Sequence, residues 1–214
     1  MIDIAVVDYG MGNLRSVSKA LEHVAPNKKV VVTSSAKEIL DAERVVFPGQ
    51  GAMPDCMREL ESRGLHDVIV QSAASKPFLG ICIGLQLLFQ HSEEGDANGL
   101  GILAGKVKRF AADAMHDAEG NKLKVPHMGW NQVYQKQAHQ MWKDIPNGER
   151  FYYVHSYYVQ PDDTSLVAGV TEYPALFTGA IAHNNIFAVQ FHPEKSQHAG
   201  LQLLSNFVQW NGKP

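Results

Sequence analysis

The stretch Pro77-Phe78-Leu79-Gly80-Ile81-Cys82-Ile83-Gly84-Leu85-Gln86-Leu87-Leu88-Phe89 decides how the chain folds. A short apolar run enters Gly-x-Cys-x-Gly and leaves into a second apolar run. An apolar strand without alternation is buried on both faces, as in a parallel sheet covered by helices. Glycines on both sides of the junction residue allow a tight strand-to-helix turn with close packing. Cys82 would then stand at the start of an apolar helix, where the helix dipole favours a thiolate. The next amide, that of Ile83, is set to donate to an oxyanion. The competing reading is a buried cysteine in a strand–helix turn.

Upstream, the runs Ile2–Val7, Lys29–Val32 and Arg44–Phe47 have the same short, apolar, β-branched character as Phe78–Ile81. Helical patterns separate them. Leu14, Val17, Leu21 and Val24 recur at helical spacing after Asn13, a candidate N-cap. Pro54 suits the first turn of a helix through Met57, Leu60 and Glu61, and residues 65–73 form another helical segment. Alternating strands and helices predict an α/β fold with a mostly parallel open sheet flanked by helices, of the flavodoxin-like type. Residues 92–101 and 111–121 read as polar, turn-rich loops. Strands at Lys106–Phe110, Phe151–His155, Leu166–Val170, Phe177–Ala182 and Phe187–Phe191 predict an antiparallel region in the second half. A helix over Ala199–Trp210 closes the chain. No linker or repeat divides the 214 residues, so one domain over 1–214 is expected.

Nineteen Lys and Arg stand against 22 Asp and Glu, a net charge of −3, so no basic surplus points to a nucleic acid. The N-terminus lacks a basic, signal-like segment and no apolar run is long enough to span a bilayer, so a cytoplasmic protein with no membrane partner is expected. Two cysteines, Cys56 and Cys82, make no disulfide framework.

A cysteine nucleophile needs a base, and the base needs an orienting group. Of ten histidines, His192 stands at the end of the apolar run Val189-Gln190-Phe191, two residues before Glu194. In extended geometry the two side chains point to one side, so Glu194 can hold one imidazole nitrogen while the other faces a thiol. His155, ending Phe151–Val154 without a neighbouring acid, is the rival base and reads as structural or substrate-lining. No histidine shows metal-ligand spacing, and no metal or other cofactor is expected. The strand Arg44–Phe47 leads into Pro48-Gly49-Gln50-Gly51. Such a loop lets backbone amides approach a ligand, and Gln50 or Gly51 is a candidate second oxyanion donor beside Ile83. Cys56, with no base nearby, reads as half-buried helix packing.

Together these segments resemble the class I (triad) glutamine amidotransferases along nearly the whole chain. The carriers are Gly80–Gln86 and Phe191-His192-Pro193-Glu194. A narrower resemblance, to glutaminase subunits of imidazole glycerol phosphate synthases, rests on four segments. They are Asp8–Val17, Pro126-His127-Met128-Gly129-Trp130-Asn131, Val154-His155-Ser156-Tyr157 and His192–Ser196. The resemblance implies Cys82 as nucleophile, His192 as base and Glu194 as its orienter. It implies an oxyanion site at Gln50 and Ile83, and contacts to glutamine from Gly49, Gly51, Gln86, Ser156 and Tyr157. It further implies a heterodimer with a (β/α)₈-barrel cyclase that takes up the ammonia, docked through Gly10, Met11, Gly12, Asn13, Trp130 and Lys195. Gln50 departs from an apolar residue usual in the family. That departure implies a resting loop whose amide turns away from the oxyanion until the cyclase binds its ligand. Two other readings share the motifs: another triad amidotransferase subunit or stand-alone γ-glutamyl hydrolase, and a binding subunit without catalysis.

Overall fold

The computed structural model describes residues 2–111, 115, 116 and 119–213. Parts of the predicted 111–121 loop, residues 112–114, 117 and 118, lie outside the described residues. In chain order the elements begin β1 (Ile4–Val7), α1 (Leu14–Val24), β2 (Val30–Thr33), α2 (Ala36–Asp41), β3 (Arg44–Gly49) and α3 (Met53–Ser62). They continue with α4 (His66–Ser75), β4 (Phe78–Cys82), α5 (Ile83–Gln86), β5 (Phe89–Ser92), β6 (Ala97–Asn98) and β7 (Leu103–Arg109). The remainder is β8 (His127–Gln135), β9 (Glu149–His155), β10 (Tyr157–Pro161), β11 (Val167–Glu172), β12 (Leu176–His183), β13 (Ile186–Val189) and α6 (Gln197–Gln209).

The parallel heart of the sheet runs β2-β1-β3-β4-β13. Every residue of β1, β4 and β13 is buried, which is why these strands lack polar alternation. Beyond β13 the sheet turns antiparallel through β12, β10 and β7, as the strand-rich second half predicts. β8 and β9 pair with each other, and β8 also pairs with β11 at its far end. The sheet and its helices enclose one apolar cluster, including Tyr9, Phe47, Phe78, Phe187, Phe207 and Trp210.

Three local expectations are corrected. Asn13 occupies the N-cap position of α1, but its side chain makes no capping bond; α1 is held by Val17, Ala20 and Leu21 buried on the core. The helix after Cys82 is a single turn, α5, because Phe89 already enters β5. A helix this short adds little macrodipole at Cys82, so the thiol depends on its side-chain neighbours. The third concerns Cys56, which is fully buried on α3 and donates to the Gln50 carbonyl at 3.7 Å.

α2, β5, β6, β8 and β10 were not anticipated. α2 is short and is started by Ser35, whose hydroxyl accepts from the Glu38 amide. Among the described residues, no helix is long and apolar enough to cross a membrane.

Candidate active site

In an open α/β sheet the carboxyl ends of neighbouring strands share one edge. Gly49 at the end of β3 is in register with Cys82 at the end of β4, and Val189 of β13 is in register with Ile81. The Pro48–Gly51 loop and the 190–194 segment therefore flank Cys82 on either side. Cys82 has φ +57° and ψ −111°, a conformation that L side chains avoid. Such strain is retained where the surrounding packing fixes it. Here the packing is glycine-dependent. A Cβ on Gly84 would overlap the Phe47 carbonyl oxygen, and one on Gly80 would stand 2.9 Å from the Ala188 Cβ. The two glycines let the elbow close down on β3 and β13.

His192 follows β13 rather than ending it, and Glu194 lies in a 3-10 turn over Pro193–Lys195 rather than in extended chain. The turn still brings Glu194 Oε1 to 2.8 Å from His192 Nδ1. The His192 amide donates to the Tyr152 carbonyl at 2.9 Å. Ser196 Oγ donates to the His192 carbonyl at 2.6 Å and accepts from the Tyr152 amide at 2.9 Å. The imidazole is thus fixed from its backbone and from Nδ1, while among the described residues the buried Nε2 has no close hydrogen-bond partner and is left toward Cys82. Burial disfavours charge on His192. Cys82 beside it and the Glu194 carboxylate outweigh that cost, raising its pKa to about 10.

A cavity of about 230 Å³ opens at this edge. Its walls bring together Cys82, Ile83, Gln50, Gly51, Gln86, Ser156, Tyr157, His192 and Lys195. Gly49 is not among the cavity-lining residues, and a Cβ there would overlap the Tyr9 hydroxyl and crowd Ile83. His155 also lines the cavity, but both its nitrogens are occupied.

Two lining or adjacent residues escaped the sequence reading. Glu94 lines the cavity and accepts from the Met53 amide at 2.8 Å. Gln190 donates from Nε2 to Cys82 Sγ at 3.8 Å. The available signal for Gln190 was a polar residue inside an otherwise apolar run; Glu94 gave none within its polar loop. Among the described residues, no group of three His, Cys, Asp or Glu side chains is arranged to hold a metal ion.

Behind the cavity lies a directed network. The Tyr157 carbonyl can only accept, so His155 Nδ1 carries a proton and donates to it at 2.8 Å. His155 Nε2 is then an acceptor, and His127 Nδ1 donates to it at 2.9 Å. His127 Nε2 in turn accepts from Asn131 Nδ2 at 3.2 Å. Both imidazoles are neutral: burial lowers the pKa of His155 to about 3 and of His127 to about 4.

The unfolded chain binds protons at these sites near pH 6.5, where the folded chain does not. Their contribution is therefore complete above about pH 6.5 and is lost as pH falls through about 4 for His127 and about 3 for His155. His192 has the opposite sign: its contribution is complete below about 6.5 and is lost as pH rises through about 10. Thermal melts should show a steep acid limb between pH 6.5 and 4, and a His155→Gln variant should flatten it.

Of the expected docking residues, Lys195 lines the cavity and Met11 touches its wall at Gly51. A Cβ on Gly51 would come within 2.7 Å of Met11 Cε, so the 10–13 loop touches the Pro48–Gly51 loop directly. On the other side Trp130 is 43% exposed and meets Tyr152 edge to face, and Lys195 Nζ stands 5.8 Å over the Tyr152 ring. Met128 on the same face of β8 is also exposed.

A strained cysteine between two strand ends, facing a carboxylate-held histidine, is a site built for thiol attack on a carbonyl. The chain belongs to the class-I glutamine amidotransferases, whose family profile matches residues 5–210. It is similar to the imidazole glycerol phosphate synthase subunit HisH of Thiobacillus denitrificans, with 67% identity over 98% of this chain and 92% of that one. The same-named subunit of Aromatoleum aromaticum is 63% identical over 98% of this chain and 99% of that one. Among solved structures, PurLQS from Thermotoga maritima matches with a TM-score of 0.66 at 19% identity, covering 98% of this chain and 99% of that one. A structure described as a glutamine amidotransferase matches with a TM-score of 0.69 at 15% identity, over 96% and 99%. These two share the fold.

Proposed function

We propose that this chain is the glutamine-hydrolysing subunit of an imidazole glycerol phosphate synthase, supplying ammonia to a (β/α)₈-barrel cyclase. The observation that carries the reading is Cys82 on its strained elbow beside the His192–Glu194 pair. The high identity to subunits of that name supports the choice among amidotransferases.

In this mechanism the Cys82 proton rests on His192 Nε2, and the sulfur, as thiolate, attacks the side-chain carbonyl carbon of glutamine. Glu194 holds the imidazolium. The amide of Ile83 and one from the Gln50–Gly51 loop stabilise the oxyanion. Collapse breaks the carbon–nitrogen bond, and the imidazolium gives its proton to the departing ammonia. Water, deprotonated by His192, then cleaves the glutamyl thioester to glutamate and restores the thiolate. Glu94 supplies a negative wall suited to the substrate ammonium. Gln86 presents a buried oxygen, Oε1, that has no hydrogen-bond partner among the described residues and can accept from the substrate. Ser156 and Tyr157 close the opposite wall.

The test is nitrogen transfer. Glutamine labelled with ¹⁵N at its side-chain amide should label the imidazole product when the chain is mixed with a barrel cyclase. Free labelled ammonia with no transfer would favour a stand-alone hydrolase. Docking through the Trp130 face predicts a further outcome: Trp130→Ala should weaken the complex about 30-fold, measured by calorimetric titration with the cyclase.

A further inference from the structure

Gln190 is fully buried, yet it belongs to none of the roles assigned above. The direction of its amide follows from its neighbours. The Tyr157 carbonyl can only accept, so the Gln86 atom 3.1 Å from it is the NH₂ group. That same NH₂ lies 3.0 Å from Gln190, so Gln190 must present its oxygen there. Its own NH₂ is then left facing Cys82 Sγ at 3.8 Å. The side chain has no freedom to reverse, because a flip would set two NH₂ groups against each other in a buried site.

The backbone adds a second constraint. Gln190 is the residue after Val189, which is in register with Ile81, so it flanks Cys82 across the strand pair. Its amide also donates to the Gly179 carbonyl at 2.9 Å, fixing the main chain at that point.

We propose that Gln190 is a positioning residue, whose side-chain NH₂ donates to the Cys82 sulfur and holds the thiolate against the cavity. This rests on the reading of Cys82 as nucleophile. A thiolate has strong acceptor character, and a donor aimed at it favours the charged form over the thiol. His192 receives the proton, whereas Gln190 keeps its own. It therefore holds the sulfur through attack and through hydrolysis of the thioester without taking part in proton transfer. The other titratable groups around the sulfur are His192 with Glu194 behind it, Tyr9 and Cys56, with Glu94, His155, Tyr157 and Lys195 on the cavity wall. All of them remain in a Gln190 variant.

The experiment compares the full chain with Gln190→Leu and Gln190→Met, using iodoacetamide as probe. Alkylation of Cys82 is followed by peptide mapping as a function of pH, beside glutamine hydrolysis and thermal melts. In both variants the midpoint of the Cys82 alkylation profile should move about one pH unit higher. The turnover number should fall about tenfold, with KM changed less than about threefold. Gln190→Met keeps the length of the side chain without a donor or a charge, and it carries the test if the leucine variant fails to fold. A lower melting temperature with an unmoved alkylation midpoint overturns the proposal and leaves the nucleophile assignment standing. Wild-type Cys82 that resists iodoacetamide at every pH overturns both.

Discussion

Cys82→Ala is expected to abolish glutamine-dependent product formation by the chain and its cyclase while leaving ammonia-dependent formation intact. The sulfur is the atom that would bond to the substrate, and among the described residues the cavity lining holds no other thiol. His155, the rival base, is committed to Tyr157 and His127, and Cys56 lies on α3, outside the cavity lining. Loss of a nucleophile from a unit of this kind costs on the order of 10⁴ to 10⁶ in turnover. The fold should survive, because the substitution removes one atom from a site whose strain comes from the backbone. Ammonia added directly bypasses hydrolysis, so the cyclase reaction should proceed. Loss of both activities would mean that the alanine damages the complex rather than the chemistry.

Gly84→Ala is the second large effect, and it acts through packing. The added methyl would overlap the Phe47 carbonyl oxygen, a main-chain atom in the centre of β3. β3 is fixed by β1 on one side and β4 on the other, so it has little room to retreat. The cost should be about 3 kcal/mol or more, because relief requires α5 to lift from the sheet. Lifting α5 also moves the Ile83 amide and relaxes the Cys82 elbow, so activity should fall further than stability alone accounts for. Gly64→Ala is the control: it has a positive φ of 64° but open space around it, and should cost about 1 kcal/mol. Chemical denaturation of the two variants measures the difference.

The parallel half of the sheet was legible because burial on both faces leaves an unmistakable record in the sequence. Residues such as Ile4, Val6, Val45 and Phe78 have no solvent to face, so no polar alternation dilutes the pattern. β8 was missed for the opposite reason. Its exposed positions include Met128, Trp130 and Tyr134, so its outward face is as apolar as its inward one and the strand period is hidden. The same exposure suits the docking role the resemblance implies for Trp130.

At the site, the Cys82 elbow and the His192–Glu194 pair were readable from local spacing. Glu194 reaches His192 through a 3-10 turn rather than through extended chain. Gln190 and the His127–His155 pair were not readable, since each acquires its partner only through strand order. Gln190 meets Cys82 because β13 lies beside β4, 108 residues away in sequence. α5 is a single turn and supplies little macrodipole at Cys82.

The most direct test of the account is to expose the full chain, with its cyclase present, to a glutamine analogue carrying an alkylating group at the amide position. The adduct is then mapped by mass spectrometry. The account predicts a single adduct on Cys82, suppressed by excess glutamine, with Cys56 untouched. An adduct on Cys56 alone, or none on Cys82, would contradict it.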